Sequence, residues 1–233
     1  DNQNINRNDK LYKTSSIFNR LLDKFKQLYV PDCDLSLAEG MIPMKNKFSF
    51  KQYTKDKPIC WEEKFFLLCD SENRYICNTE MYTGRRDDAN EIDNLCVTGN
   101  LVVRMTNEYA RQNYALYTDR FYMSVQLMEY LLVNKDIQLC GTTMTNRKGF
   151  PRTLMKRNNE MQRGESEVLF NKNVAVFVWK DKRPIYFISS LFISLPQEHV
   201  QRYDANEHRR APVPCLKAMK EYNAHTTGTD KND

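Results

Sequence analysis

Long apolar runs are missing from this 233-residue sequence. None approaches the ~20 residues that cross a bilayer, so no membrane-spanning helix is expected. The opening DNQNINRNDK is polar and lacks a secretory signal pattern, and it reads as a frayed lead-in or the cut edge of a longer protein. Metal-ligand spacing is missing too. The seven cysteines (positions 33, 60, 69, 77, 96, 140 and 215) are odd in number and never form C-x-x-C, and the three histidines (199, 208 and 225) lie far from any cysteine pair. Neither a disulfide framework nor a zinc site is expected, and the cysteines read as buried thiols in a reducing compartment. Internal repeats and low-complexity tracts are absent.

What is present suffices for a core: 41% of residues are hydrophobic and 12% aromatic, which argues against wholesale disorder. The net charge of +5 is modest but uneven. Residues 146–217 hold 14 Lys/Arg against 7 Asp/Glu, and the remainder holds 21 against 23. All of the basic excess therefore lies in one stretch, which favours a polyanionic partner; the plainer alternative is a solvated basic surface.

Ile17, Phe18, Leu21, Leu22, Phe25, Leu28 and Tyr29 recur at helical spacing, with Ser15 or Ser16 available as N-cap and Pro31 as terminator. Alternation makes Leu35 to Glu39 a short strand, with Ala38 on the face opposite Leu35, Leu37 and Glu39. Phe65 to Cys69 reads as a buried strand, Asp70-Ser71-Glu72-Asn73 as a turn, and Tyr75 to Tyr82 as the hairpin partner. A helix is expected over Ile92 to Arg111, a strand over Tyr114 to Tyr117, a helix carrying Val125 to Leu132, and a strand over Ile137 to Thr143. Asn146 to Pro151 is a loop. Val174 to Trp179 and Ile185 to Ile193 are strand-like about a turn at Lys180 to Pro184. Residues 194–214, with Pro196, Pro212 and Pro214, read as a linker, and Leu216 to His225 as a last helix.

Three strands, helix, strand, helix, strand is the ribonuclease H order. The expected fold class is therefore α/β: a ribonuclease-H-like mixed sheet core with helices, interrupted by a basic β-rich insertion domain. In that fold, carboxylates on the first strand, just past the fourth strand and on a late helix converge on two divalent metals that activate the attacking oxygen and stabilise the leaving one. Those positions here are residue 38, Asp119 and Asp230.

The residues around them carry a family resemblance. Leu37-Ala38-Glu39-Gly40-Met41-Ile42-Pro43-Met44-Lys45, with Phe48-Ser49-Phe50-Lys51, resembles the opening strand block of piggyBac-type transposases. Further matches are Lys57-Pro58, Trp61, Cys69-Asp70-Ser71, Tyr82-Thr83-Gly84 and Tyr117-Thr118-Asp119-Arg120-Phe121-Tyr122. Asn146-Arg147-Lys148-Gly149, Trp179-Lys180-Asp181-Lys182-Arg183, Tyr222-Asn223 and Gly228-Thr229-Asp230 follow, with Asp233 behind, in the right order over nearly the whole chain.

The resemblance implies a DNA transposase that excises at TTAA sites through three aspartates and divalent metal. Here the first position is alanine, Ala38; Asp119 and Asp230 remain as catalytic remnants, with Asp233 nearby as a further vestigial metal ligand. The family's Gly-Gly-Val-Asp stands as Thr227-Gly228-Thr229-Asp230, and its basic residue and glycine near Trp61 stand as Cys60 and Glu62. No cofactor is expected, and Mg²⁺ only for an intact acid cluster. The expected organisation is an N-terminal helical segment (1–33) belonging to a flanking DNA-binding or dimerisation region, the first part of the core (34–145), a basic insertion domain (146–215) and the last part of the core (216–233). The expected function is a domesticated, catalytically inactive transposase domain that binds double-stranded DNA or chromatin in the nucleus, with a homodimer left open and no membrane or small-molecule partner. DNA contact is assigned to Arg147, Lys148, Arg152, Lys156 and Arg157, which fall within eleven residues. The alternatives are an active metal-dependent transposase, were residue 38 natively aspartate, and a protein-interaction module without DNA affinity. Plainer readings stay beside these: Asp119 as the cap of the next helix, Asp230 as a solvated residue, Asp181 as turn chemistry, and Trp179 as core rather than a base-stacking platform.

Overall fold

The computed structural model describes residues 10–43, 50–53, 55, 60–84, 91–191, 197–204 and 208–226. The opening helix, α1 (Ser15–Leu28), ends in extended backbone at Tyr29. Neither serine caps it: Thr14 holds the N-cap position and makes no side-chain cap bond. None of its residues is fully buried; Phe18 tilts against Phe65 at 6.5 Å between ring centroids, and Phe25 meets Tyr75 edge-on at 6.1 Å.

Three antiparallel strands form the first block: β1 (Asp34–Pro43), β3 (Trp61–Asp70) and β4 (Ile76–Met81), with a two-residue β2 (Gln52–Tyr53) on the start of β3. The β3–β4 turn is organised by Asp70, which is fully buried. Its Oδ1 accepts the N–H groups of Glu72 and Asn73, and its Oδ2 accepts the Tyr29 hydroxyl (2.7 Å) and the Asp32 N–H (2.9 Å). One carboxylate thus ties the exit of α1 to the hairpin. Desolvation pushes its pKa up, but the Asp32 N–H, the Tyr29 hydroxyl and the two turn N–H groups outweigh burial and hold it below the usual carboxylate value. A depressed folded-state pKa gives stability that is present above the unfolded-state value of about 3.9 and lost as pH falls through the folded-state value. Asp70→Asn should therefore cost roughly 1–3 kcal/mol at neutral pH. It should also flatten the acid limb of stability against pH in urea titrations; an unchanged acid limb would remove Asp70 from that role.

The expected helix over residues 92–111 is shorter. Only α2 (Val97–Met105) forms, followed by a 3-10 turn at Asn107–Tyr109. The side chain of Asn100 accepts the Ile92 N–H (2.9 Å) and so folds the preceding segment back on the helix start. At the other end the Thr106 hydroxyl donates to the Val102 carbonyl (2.8 Å). Then come β5 (Ala115–Thr118), α3 (Val125–Tyr130) with a wider turn at Leu131–Lys135, and β6 (Gln138–Thr142). The cap of α3 is Ser124, whose hydroxyl accepts the Leu127 N–H, and not Asp119.

β1, β5 and β6 are mutually parallel neighbours, so the strand order through this part is β4-β3-β1-β5-β6. Residues 146–215, expected as an insertion domain, supply β7 (Ser166–Asn171), β8 (Val174–Lys180) and β9 (Pro184–Ser189), and β9 pairs antiparallel with β6. These strands extend the same sheet to nine strands. The expected strand over 185–193 ends at Ser189, with Phe192 and Ile193 outside the described residues.

The expected linker is a correction. Over the segment expected as a linker (194–214), β10 (Gln197–Asp204) pairs antiparallel with β11 (Arg209–Leu216), which runs into α4 (Lys217–His225). Pro212 and Pro214 are tolerated inside β11 because an antiparallel ladder uses alternate N–H groups, and prolines two apart share the side that needs none.

The central strands of the sheet are buried on both faces. Leu35, Leu37, Leu116, Val176 and Val178 pack with α2 and α3, while Ala115, Tyr117, Phe177 and Trp179 pack with β11 and α4. Trp179 is fully buried and donates its Nε1–H to the Pro214 carbonyl (2.8 Å), which makes it core. Cys69, Cys77, Cys140 and Cys215 are buried as expected; Cys33 and Cys96 are exposed and Cys60 half-buried, so burial does not extend to all seven.

Candidate functional site

Parallel pairing of β1 with β5 matches Leu37 with Thr118, so the next residues, Ala38 within β1 and Asp119 just past the end of β5, follow side by side. Leu35 and Leu37 belong to the core on the α2/α3 face, and Ala115 and Tyr117 to the core on the α4 face. Alternation therefore sets Ala38 and Asp119 together toward α4. The ring of His225, at the end of α4, stacks on Tyr117 at 4.6 Å. Asp230 and Asp233 lie outside the described residues, as do Thr227 to Thr229 and the motif residues Met44, Lys45, Phe48, Ser49, Lys57 and Pro58.

Asp119 accepts the Phe121 N–H at 2.8 Å, turning the chain immediately after β5. The residue keeps exposed surface, yet protein crowds its carboxyl. Desolvation raises its pKa, the Phe121 N–H opposes this, and the negative charge of Glu39 raises it further, against the Tyr122 N–H and Arg120. Glu39 pairs with Lys64 (2.5 Å) and accepts the Tyr122 hydroxyl (3.4 Å), as its opposite strand parity requires. Lys64 lies over the rings of Phe66 and Phe121 at 5.1 and 4.8 Å.

Two divalent metals need several converging oxygen ligands. Among the described residues no group of three or more His, Cys, Asp and Glu side chains is placed to hold a metal. Ala38 contributes no oxygen, and Glu39 is already paired. Of the expected ligand positions, Asp119 alone is both an acid and among the described residues.

The five basic residues expected to contact DNA divide into groups. Arg147 turns inward: its Nη2 donates to the carbonyls of Arg120 (3.2 Å) and Phe121 (2.5 Å), bracing the turn after Asp119. Lys156 is paired with Glu167 (2.8 Å). Arg157 stands 3.9 Å from Glu160 and is largely exposed. Lys148 and Arg152 are exposed.

Gly141 is a site determinant that periodicity did not reveal. It pairs with Thr118, and a Cβ there would lie 2.0 Å from the Thr118 carbonyl oxygen and 2.7 Å from Met123 Cε. A glycine within a strand pattern is the available sequence signal for such close backbone approach.

Comparison with known proteins agrees with this architecture. A family model described as Transposase IS4 matches residues 1–233. The human PiggyBac transposable element-derived protein 3 is 22% identical over 240 residues, covering all of this chain and 40% of that protein. The human Chimeric ERCC6-PGBD3 protein is likewise 22% identical over 240 residues, with 22% of its length covered. A piggyBac transposase solved by cryo-EM as a synaptic complex with hairpin DNA superposes with a TM-score of 0.78 at 20% identity, over 96% of this chain and 44% of that one. This chain spans less than half the length of each of these proteins. By its match from end to end, the chain belongs to the piggyBac-type transposase family.

Proposed function

We propose that this chain is a degenerate transposase domain with a ribonuclease-H-like core, which binds double-stranded DNA in the nucleus and does not cut it. The β4-β3-β1-β5-β6 order, with the last three strands parallel, supports the core assignment. The register that sets Ala38 beside Asp119 carries the catalytic part: where the family resemblance places paired carboxylates, one side has a methyl group. The solved piggyBac transposase was held in a DNA complex, which supports a DNA partner here. The exposed cations Lys148, Arg152 and Arg157 beyond β6 supply the chemistry for phosphate contact.

Mobility shift of a duplex at rising salt, with manganese-dependent nicking assayed in parallel, tests both halves. The wild type should shift duplex of any sequence and leave it intact. Each neutralised phosphate contributes about −0.9 to the slope of log K against log salt. Reversing Lys148, Arg152 and Arg157 to glutamate should therefore weaken all duplexes alike and flatten the slope by about two to three units. Arg147 is left intact because its loss would collapse the turn it braces. Sustained nicking by the wild type would establish a nuclease, and no shift at low salt would leave a protein-interaction module.

A further inference from the structure

β7 (Ser166–Asn171) closes one end of the nine-stranded sheet, bonded to β8 on one side and to no described strand on the other. It joins β8 through a two-residue turn, Lys172-Asn173, with Asn171 opposite Val174. Residues that flank such a turn exchange both backbone bonds, and every second pair after them does the same. At the other end of the strand the Lys180 N–H reaches the Glu165 carbonyl (2.9 Å), in the same phase. Glu167, Leu169 and Asn171 therefore spend their backbone groups on β8, while those of Ser166, Val168 and Phe170 point out of the sheet.

This edge is unguarded. Sheet edges are commonly blunted by proline, by a bulge or by lysine within the strand. β7 contains neither proline nor lysine, its register with β8 runs without a shift, and it exposes Leu169 (41%) and Phe170 (55%). A bare row of backbone donors and acceptors between apolar side chains fits one more extended strand.

The residues of β7 select which strand. Only outward backbone groups can bond across the edge, so an antiparallel copy of β7 changes register in steps of two. With Val168 opposite Phe170, Leu169 meets Leu169 on a two-fold axis, and each apolar residue of the strand opposes another. One step to either side sets Glu167 against Leu169, or Lys172 against Val168. The apolar register also matches the charges. Glu165 and Glu167 stand at the start of the strand and Lys172 just past its end, so each Lys172 falls opposite the partner's Ser166, between two glutamates. Glu165 accepts the Gln162 N–H (2.7 Å) and Glu167 pairs with Lys156 (2.8 Å), yet both stay exposed. We propose that the β7 edge docks the β7 strand of a second copy, antiparallel about Leu169, so that two sheets become one.

Sedimentation equilibrium of the whole chain at rising concentration, with amide exchange alongside, tests this. The wild type should dimerise. Its Val168 and Phe170 amides should gain protection with concentration, while those of Glu167 and Leu169 are protected throughout. Val168→Pro removes a donor from the open side only, so it should abolish the dimer and keep the monomer folded. Lys172→Glu and the double variant Glu165→Lys/Glu167→Lys leave the backbone intact. Each should weaken self-association about tenfold, because the two-fold axis repeats every charge contact. Mixed together, the two charge variants should pair again, a recovery that misfolding of either would not give. A wild type that stays monomeric at high micromolar concentration overturns the proposal and leaves the edge to a strand of a different protein. A dimer indifferent to Val168→Pro and to both charge variants also overturns it, placing the contact elsewhere on the chain.

Discussion

Gly141→Ala should be among the most damaging single substitutions in the chain. The added methyl would meet the Thr118 carbonyl oxygen at 2.0 Å, a distance no Cβ tolerates, and Met123 Cε at 2.7 Å. The methionine end can swing aside, but the carbonyl is fixed by the β5–β6 ladder, which has Thr118 opposite Gly141. Relief therefore requires one central strand to move. Ordinary overpacking costs about 1–3 kcal/mol through side-chain adjustment, and this clash has no side-chain remedy at the carbonyl, so the loss should exceed that range. It should rival Trp179→Ala, for which a large buried aromatic gives about 3–5 kcal/mol. Against a total stability of roughly 5–15 kcal/mol, either loss places the domain near its unfolding threshold. Urea unfolding of Gly141→Ala compared with Gly99→Ala provides the check, because the contacts at Gly99 are with side chains no closer than 3.3 Å. A cost below about 1 kcal/mol would mean that the β5–β6 spacing yields readily, contrary to close packing of a central sheet.

The second large effect is a gain. With Ala38 in place, manganese titration should show no site tighter than about the millimolar range, the weak end for oxygen-ligand sites. Ala38→Asp sets a carboxylate beside Asp119, at a position parallel pairing has already aligned. Without metal the two acids repel, which should raise the already elevated pKa of Asp119 and lower stability at neutral pH. With metal the repulsion becomes ligation. Binding only to the folded state adds about 2.7 kcal/mol at a hundredfold excess over Kd, so the variant's thermal midpoint should climb with manganese while the parent's stays level. Recovery of metal binding should exceed recovery of cutting, because Cys60, Glu62, Thr227 and Thr229 also depart from the family pattern and catalysis demands closer geometry than binding. A micromolar manganese site in the unaltered chain would defeat this account. Efficient excision of a family-type transposon end by the single variant would show Ala38 to be the sole lesion.

Much of this architecture is written in local periodicity. The helical spacing from Ile17 to Tyr29 marked α1, and alternation at Leu35-Ser36-Leu37-Ala38 set Ala38 on the face opposite Leu35, Leu37 and Glu39. The β-branched and aromatic runs at Val174 to Trp179 and from Ile185 marked β8 and β9, and the ordered motifs through Tyr117-Thr118-Asp119 carried the family resemblance. These signals survive in sequence because each side chain's exposure follows from a repeat of two or of 3.6 residues.

Partners distant in the chain required the tertiary structure. Residues 194–214 read as a linker because Pro212, Pro214 and dense charge mask a strand whose ladder lies along one side only. The helix expected over 92–111 contracted because Asn100 and Thr106 bond to nearby backbone, a competition that hydrophobic spacing does not register. Arg147, one member of a basic cluster in sequence, is spent on two backbone carbonyls more than twenty residues away, while Lys182 and Arg183, which read as turn chemistry, line an open cleft with Arg120. Composition counts those charges alike; which of them remain available for a ligand depends on acceptors that only the folded chain brings within reach.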